Sequence, residues 1–424
     1  MSNSILTIAE ARQQIPTLPP GPTEPIVVQA GKIQHFNRPV LLMFAAHGDI
    51  ISAEINGVPT IAVQQPETVD FILSDRNHDF NHGYGDGINT IFSGGLPVLP
   101  YPLHRDLRPE ITPSFNPSNM GQVFVTIQSI IDNHIDSWTN LAEFNCLDAC
   151  TTMTLDVIAS LIGLDQSEYH TYGELYRFLS AGMFYPLGTP KSLKAVESRK
   201  LLAELISRVI ADRQASPKND ITSLMLAAGL SHEQILDQNI VLGFAGHETQ
   251  KTVLSAAIME LGQNPGLKNG ISSERISPVK SKARLTYRPT ENMSITNRII
   301  LATLLTHGPI SVVPRISSKD VTLPNGFTIP KGWDVKLMIE AMHHNIFGDI
   351  SFAPERFLHP TEQERKYFMP FGLGPHFCLG MGFAMQEIYF ALQKLTEYSW
   401  ESKPAHNQRT SGDIIVTNFK PQNQ

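Results

Sequence analysis

Apolar and polar positions in this 424-residue chain open with short β-prone runs and then settle into helical periodicity over most of its length. Gly48–Ile55 and Pro59–Val63 flank Asn56-Gly57, a dipeptide that readily takes the positive φ values of a tight hairpin. Helical patterns begin at about Pro66. The glycine-rich stretch from Phe80 to Pro100 predicts a long loop, after which helices dominate to about residue 264. The longest is predicted over Ser231 to Asn264. There Ile240, Val241, Phe244, Val253 and Leu254 recur at helical spacing, and Ser231 with Gln234 makes a capping-box pattern. Gly266 to Asn292 is polar and shows no helical period. Strands return from about Val312 to Lys336, around a turn at Pro324-Asn325-Gly326. The expected fold class is mainly α with small β-sheets.

Composition narrows the function. Hydrophobic residues are 42% and charged residues 17%, a globular balance, and the chain can bury a large core. The formal charge of −7 gives no electrostatic reason to expect nucleic acid or an anionic membrane as partner. The first residues carry neither an apolar run of membrane length nor a signal pattern, so no membrane anchor and a soluble, cytoplasmic protein are expected. Pro19-Pro20-Gly21-Pro22 predicts a stiff N-terminal strap over residues 1–25, leaving 26–424 as one catalytic domain. There are three cysteines, so no disulfide framework exists. Cys146 and Cys150, four apart on a helix with no third ligand nearby, are expected in the core.

Cys378 is different. It lies in Phe371-Gly-Leu-Gly-Pro-His-Phe-Cys378-Leu-Gly380, just ahead of a helical pattern. Glycines there let backbone approach closely. Backbone N–H groups and the start of the next helix aim partial positive charge at the sulfur, which favours the metal-binding thiolate. Two other patterns stand out. Ala245-Gly246-His247-Glu248-Thr249 interrupts the long helix with small and polar residues, and Thr249 can bond back to a carbonyl one turn earlier. His104 and Arg108 share a helix face, a pair suited to carboxylates.

The spacing Phe-x-x-Gly-x-His-x-Cys-x-Gly resembles the haem-binding loop of the cytochrome P-450 family, and the resemblance spans about residues 40–400. It implies a single mostly helical domain with a long central helix over haem b, and Cys378 as axial thiolate. It implies Phe371, Gly372, His376 and Gly380 as loop residues at the cofactor, and His104, Arg108, Arg315 and His376 around its propionates. Ala245 and Gly246 would leave room for dioxygen, while Glu248 and Thr249 would relay protons. Ile88, Ile91, Phe92, Leu96, Phe244, Val312 and Val313 are candidate walls for an apolar small-molecule substrate. No flavin or nicotinamide fingerprint occurs, so a ferredoxin- or flavodoxin-type donor is implied.

One element departs from the family. Pro354-Glu355-Arg356-Phe357 matches a family motif whose arginine joins an ion network with a Glu-x-x-Arg pair. In this chain those two positions are Ala302 and Leu305, and Glu362 to Arg365 lies too late to substitute. Arg356 should therefore find other acceptors or reach water, since an uncompensated buried charge costs about 3–5 kcal/mol. The implied activity is haem-thiolate monooxygenation. A haem-thiolate oxidation or rearrangement without oxygen insertion, and a non-catalytic relative, are the alternatives.

Overall fold

The computed structural model describes residues 5–26, 37–116, 121–274, 285–291, 293–404 and 414–422. Helices make up most of it, with three small sheets. The largest sheet has five strands in the order Ile50–Ile55, Val58–Val63, Asp334–Met338, Val312–Ser317 and Phe80–His82. The first two form the expected hairpin. Asn56 (φ 50°) and Gly57 (φ 79°) both sit in the left-handed region, as the tight turn requires. Val58–Val63 runs parallel to Asp334–Met338, so the two ends of the chain share one sheet. The turn expected at Pro324-Asn325-Gly326 joins Val321–Thr322 to Thr328–Ile329. A further sheet orders Glu143–Asn145, Ile414–Pro421 and Tyr398–Pro404.

The central helix runs over His232–Gln263, close to its expected limits. Ser231 and Gln234 cap it reciprocally, as the sequence pattern requires. At 1.5 Å per residue it spans about 48 Å. It packs against Cys146–Ile162, and most of its buried apolar side chains belong to one large apolar cluster. Cys146 and Cys150 are fully buried in that cluster, as expected.

Three stretches differ from the sequence reading. Phe80 to Pro100 is not a long loop: it holds the strand Phe80–His82, the helix Asp86–Ile91 and a 3-10 turn at Leu96–Val98. Its glycines mark close approach as well as turns. A Cβ on Gly83 would stand 2.7 Å from the Arg315 amide nitrogen. The polar segment after Gly266 begins with a helix, Gly266–Ser273. Two of its buried residues are Lys268 and Ile271, and a lysine hides the apolar period. The Lys268 ammonium lies over the Trp400 ring, 4.2 Å from its centroid, and donates to the Tyr398 carbonyl. Glu274 then accepts the Ile295 and Thr296 amides, capping the helix Ile295–Thr306. Residues 275–284 and Asn292 lie outside the described residues.

The N-terminal strap also contains a helix, Ile8–Gln14, started by a Thr7–Glu10 capping box. Ile8, Ala11 and Leu18 join the apolar cluster over the main sheet, and Trp333 donates to the Leu6 carbonyl at 3.2 Å.

Candidate functional site

The cysteine loop is shaped by two left-handed glycines, Gly372 (φ 71°) and Gly374 (φ 69°). Gly374 carries the closer approach: a Cβ there would stand 2.1 Å from the Leu73 carbonyl oxygen. Gly372 and Gly380 face open space instead, so their value is conformation and clearance. The Cys378 amide donates to the Phe371 carbonyl at 2.9 Å and closes the loop on itself. The helix Met381–Leu395 follows at once. Burial pushes the Cys378 thiol up. The Gly380 amide and the nearby Arg108 guanidinium oppose that shift without overcoming it. The Gly380 amide thus favours the thiolate but does not by itself produce it. A bound metal ion would, because a coordinating thiol is deprotonated outright.

Four of the expected residues converge beside this loop. His104 and His376 face each other with ring centroids 4.0 Å apart. Arg108, one turn after His104, donates to the Phe377 carbonyl. Arg315 is buried on the strand Val312–Ser317 and donates to the Pro314 carbonyl at 2.9 Å. Among the described residues neither arginine makes an ion pair. Burial, joined by Arg108 and Arg315, lowers His104 to about 4. Burial, then Arg315, His104 and Arg108, lowers His376 to about 2. At neutral pH the cluster therefore presents two cations and two neutral imidazoles. A cavity of about 300 Å³ opens beside it, lined in part by His82, His104, Arg108 and His376. His82 escaped the sequence reading. Only strand register brings it here, as the direct partner of Arg315 across the edge of the sheet.

On the central helix, Thr249 donates to the Ala245 carbonyl at 2.9 Å, the back-bond expected from its position. Ala245 is exposed in mid-helix and Gly246 presses on Ile158. The Glu248 carboxylate lies 3.1 Å from His247 Nε2 and 2.7 Å from Lys251 Nζ. Burial would raise it, but these two neighbours hold it down to about 2. Of the candidate walls, Ile88, Phe244, Val312 and Val313 keep partial exposure. Ile91, Phe92 and Leu96 do not: they are closed into the core, Phe92 against Phe244 with centroids 5.2 Å apart.

Behind the cysteine loop an aromatic cluster stands where an ion network was missing. Ala302 and Leu305 are buried in the apolar cluster that also holds Phe357 and Phe368. Phe347, Phe357 and Phe368 pack pairwise with centroids 5.5–6.1 Å apart. Arg356 is half-buried, donating to the Phe347 carbonyl at 3.4 Å with its guanidinium 6.0 Å from the Phe347 ring. It has found another acceptor, as anticipated. Arg365 pairs with Glu291 at the surface, not with Glu362. His343 completes the cluster, its Nε2 accepting the Met369 amide at 3.2 Å just before the loop begins.

Residues 16–421 match the family described as Cytochrome P450. Among curated relatives, abscisic acid 8'-hydroxylase 2 of Arabidopsis thaliana is 30% identical over 381 residues, covering 84% of this chain and 78% of that protein. Abscisic acid 8'-hydroxylase 1 of the same plant is 28% identical over 372 residues, covering 84% and 79%. Among solved structures, a retinoic acid-bound cyanobacterial P450 superposes with a TM-score of 0.78 at 22% identity, covering 95% of this chain and all of that one. A versatile cytochrome P450 enzyme of Bacillus subtilis gives 0.69 at 20% identity, covering 90% and 99%. These two likenesses concern the fold. No helix among the described residues is long and apolar enough to cross a membrane.

Proposed function

The chain belongs to the cytochrome P450 family, an oxidoreductase family of haem b monooxygenases, and on that premise we propose that it hydroxylates an apolar small molecule with Cys378 as the axial thiolate. The observation that carries the reading is the set of charges beside the cysteine. Arg108 and Arg315 are two partly or fully buried cations that make no ion pair among the described residues, and two neutral imidazoles adjoin them. Haem b carries two propionates, so the charges match one to one. Arg108, Arg315, His104 and His376 would bind them with charge-assisted and neutral hydrogen bonds. Phe371, Gly372 and Gly380 would leave the face of the loop clear.

When bound, the haem supplies the oxygen-activating chemistry, and a thiolate ligand favours O–O cleavage. The protein's own part is positional. Ala245 and Gly246 keep the helix surface low where dioxygen would lie. Thr249 holds its hydroxyl proton on the Ala245 carbonyl, ready to be turned toward that space. Glu248, anchored by His247 and Lys251, would pass protons on to Thr249. Electrons come from a redox partner of the ferredoxin or flavodoxin type. Ile88, Phe244, Val312 and Val313 would meet the substrate. Its relatives act on abscisic acid, and a structural neighbour holds retinoic acid, so apolar carboxylic acids are the first class to test.

The test is spectroscopic and chemical. The reduced protein under carbon monoxide should show the red-shifted Soret band of thiolate ligation, and Cys378→Ala should lose it. With dioxygen, reductant and a bound substrate, a product heavier by one oxygen is expected. Thr249→Ala should uncouple reductant consumption from that product. A spectrum indifferent to Cys378→Ala would overturn the reading.

A further inference from the structure

His247 stands beside the site, next to Glu248 on the central helix. Its ring is sealed, 1% exposed, between Tyr176 and Phe244, whose rings meet it edge-on at 5.9 and 6.3 Å. Gly243 makes the seal possible. A Cβ there would stand 2.1 Å from the Tyr176 ring, so no other residue lets that ring lie against the helix. His247 Nδ1 is 2.6 Å from the Gly243 carbonyl oxygen, and Nε2 is 3.1 Å from Glu248 Oε1. A carbonyl only accepts, so Nδ1 carries a hydrogen. A neutral imidazole has then no hydrogen left on Nε2, and a bare lone pair would face a carboxylate oxygen. That contact is attractive only when a proton lies between the two atoms.

We propose that the His247–Glu248 pair holds one proton more than a neutral imidazole beside a carboxylate, and that His247 is the positioning residue that keeps this proton at Glu248. The inference rests on the reading of Glu248 as the acid of the relay. Other groups facing the pair do not compete for the proton. Lys251, on the same helix, is already a cation bonded to the far carboxylate oxygen. Tyr172 and Tyr176, on the helix Tyr169–Gly182, are neutral phenols, because burial raises both. Arg199 lies behind Tyr176 and pairs with Asp237.

The transfer balances without any ring motion. The Nε2 proton first moves to Oε1, and Glu248 passes that same proton on toward Thr249, so the carboxylate ends ionised again. The imidazole is left neutral with its Nδ1–H still on the Gly243 carbonyl. Solvent then restores the Nε2 proton through the partly exposed edge of Glu248 beside Lys251.

The experiment uses the haem-loaded protein in its diamagnetic ferrous carbonyl form, labelled with nitrogen-15 histidine. His247→Gln assigns the His247 signals, and Glu248→Gln assigns any carboxylic acid stretch in the infrared difference spectrum. The expected result at pH 7 is protonation of both ring nitrogens of His247. A proton found instead on Glu248 also supports the pair. An unprotonated Nε2 together with an ionised Glu248 overturns the inference. In turnover, His247→Gln should lower coupling roughly two- to tenfold, less than the about 10²-fold cost of losing a direct general acid. The loss should deepen as pH rises from 6 to 9, a trend that a purely structural role would not produce. If Glu248→Gln uncouples while His247 lacks the extra proton, the relay stands and this inference falls. If Glu248→Gln couples normally, the relay reading fails and the spectra still decide the proton count.

Discussion

Replacing His343 with leucine tests how the cysteine loop is held. The imidazole is fully enclosed and accepts the Met369 amide, with a further backbone hydrogen bond to Tyr367. Leucine fills nearly the same space but accepts nothing. The Met369 amide is then buried without a partner, which costs about 1–3 kcal/mol at pH 7. The pH dependence sharpens the test. Burial lowers His343 to about 4 from an ordinary 6.5. The unfolded chain therefore takes up a proton below pH 6.5 that the native protein refuses. The stability is fully present above 6.5 and is lost as pH falls toward 4, by about 1.4 kcal/mol per pH unit. His343→Leu removes that slope. Denaturant unfolding of the two proteins at a series of pH values should give curves that cross between about pH 6 and pH 4.5. Hydrogen exchange of the peptide containing Met369 should be about tenfold faster or more in the variant at pH 7, since 1.4 kcal/mol is a factor of ten. Equal stability at pH 7, or a gap that stays constant down to pH 4.5, would refute the reasoning.

Three other substitutions have defined outcomes. Gly374→Ala sets a Cβ 2.1 Å from the Leu73 carbonyl at a left-handed φ, and should yield folded protein with haem content reduced severalfold, read from the ratio of Soret to protein absorbance. Arg356→Gln should cost less than about 1 kcal/mol in denaturant unfolding, well below the about 3–5 kcal/mol of a broken buried ion pair, because the guanidinium is half-exposed and weakly bonded. Glu387 is pushed up to about 8 by burial, against a hydrogen bond from Gln250. The folded protein keeps a proton that the unfolded chain releases above 4.5, so this contribution is complete below 4.5 and is lost as pH rises through 8. Glu387→Gln should remove a slope of about 1.4 kcal/mol per pH unit over that range, measured by unfolding at pH 5 to 8.

Local signals were the legible ones. The Asn56-Gly57 hairpin, the Ser231–Gln234 cap and the cysteine loop each consist of neighbours in sequence, and each stands where it was read. His104 and Arg108 share a helix turn, so their pairing was visible too. The Arg315 position needed family resemblance, and His82 opposite it needed strand register, which no local pattern carries. Short elements failed for a different reason. Asp86–Ile91 and Gly266–Ser273 have six and eight residues, too few for a helical period to emerge among glycines and a buried lysine. The Thr7–Glu10 box was readable by the rule applied at Ser231, and the prolines after it drew the reading toward a strap. Ile91, Phe92 and Leu96 were legible as apolar, but which face of a short helix meets the core depends on packing.

The aromatic cluster behind the loop has a consequence for how this chain can change. An ion network constrains its members jointly, since losing one charge strands the others. Close-packed apolar side chains are less demanding: volume-conserving exchanges usually cost under about 1.5 kcal/mol. With alanine at 302 and leucine at 305 lying against phenylalanines, each position can drift alone among aliphatic residues. Descendants of this sequence are free to diverge there while the cysteine loop in front of it stays the same, and a return to the charged pair would require two coordinated steps through a buried unpaired ion.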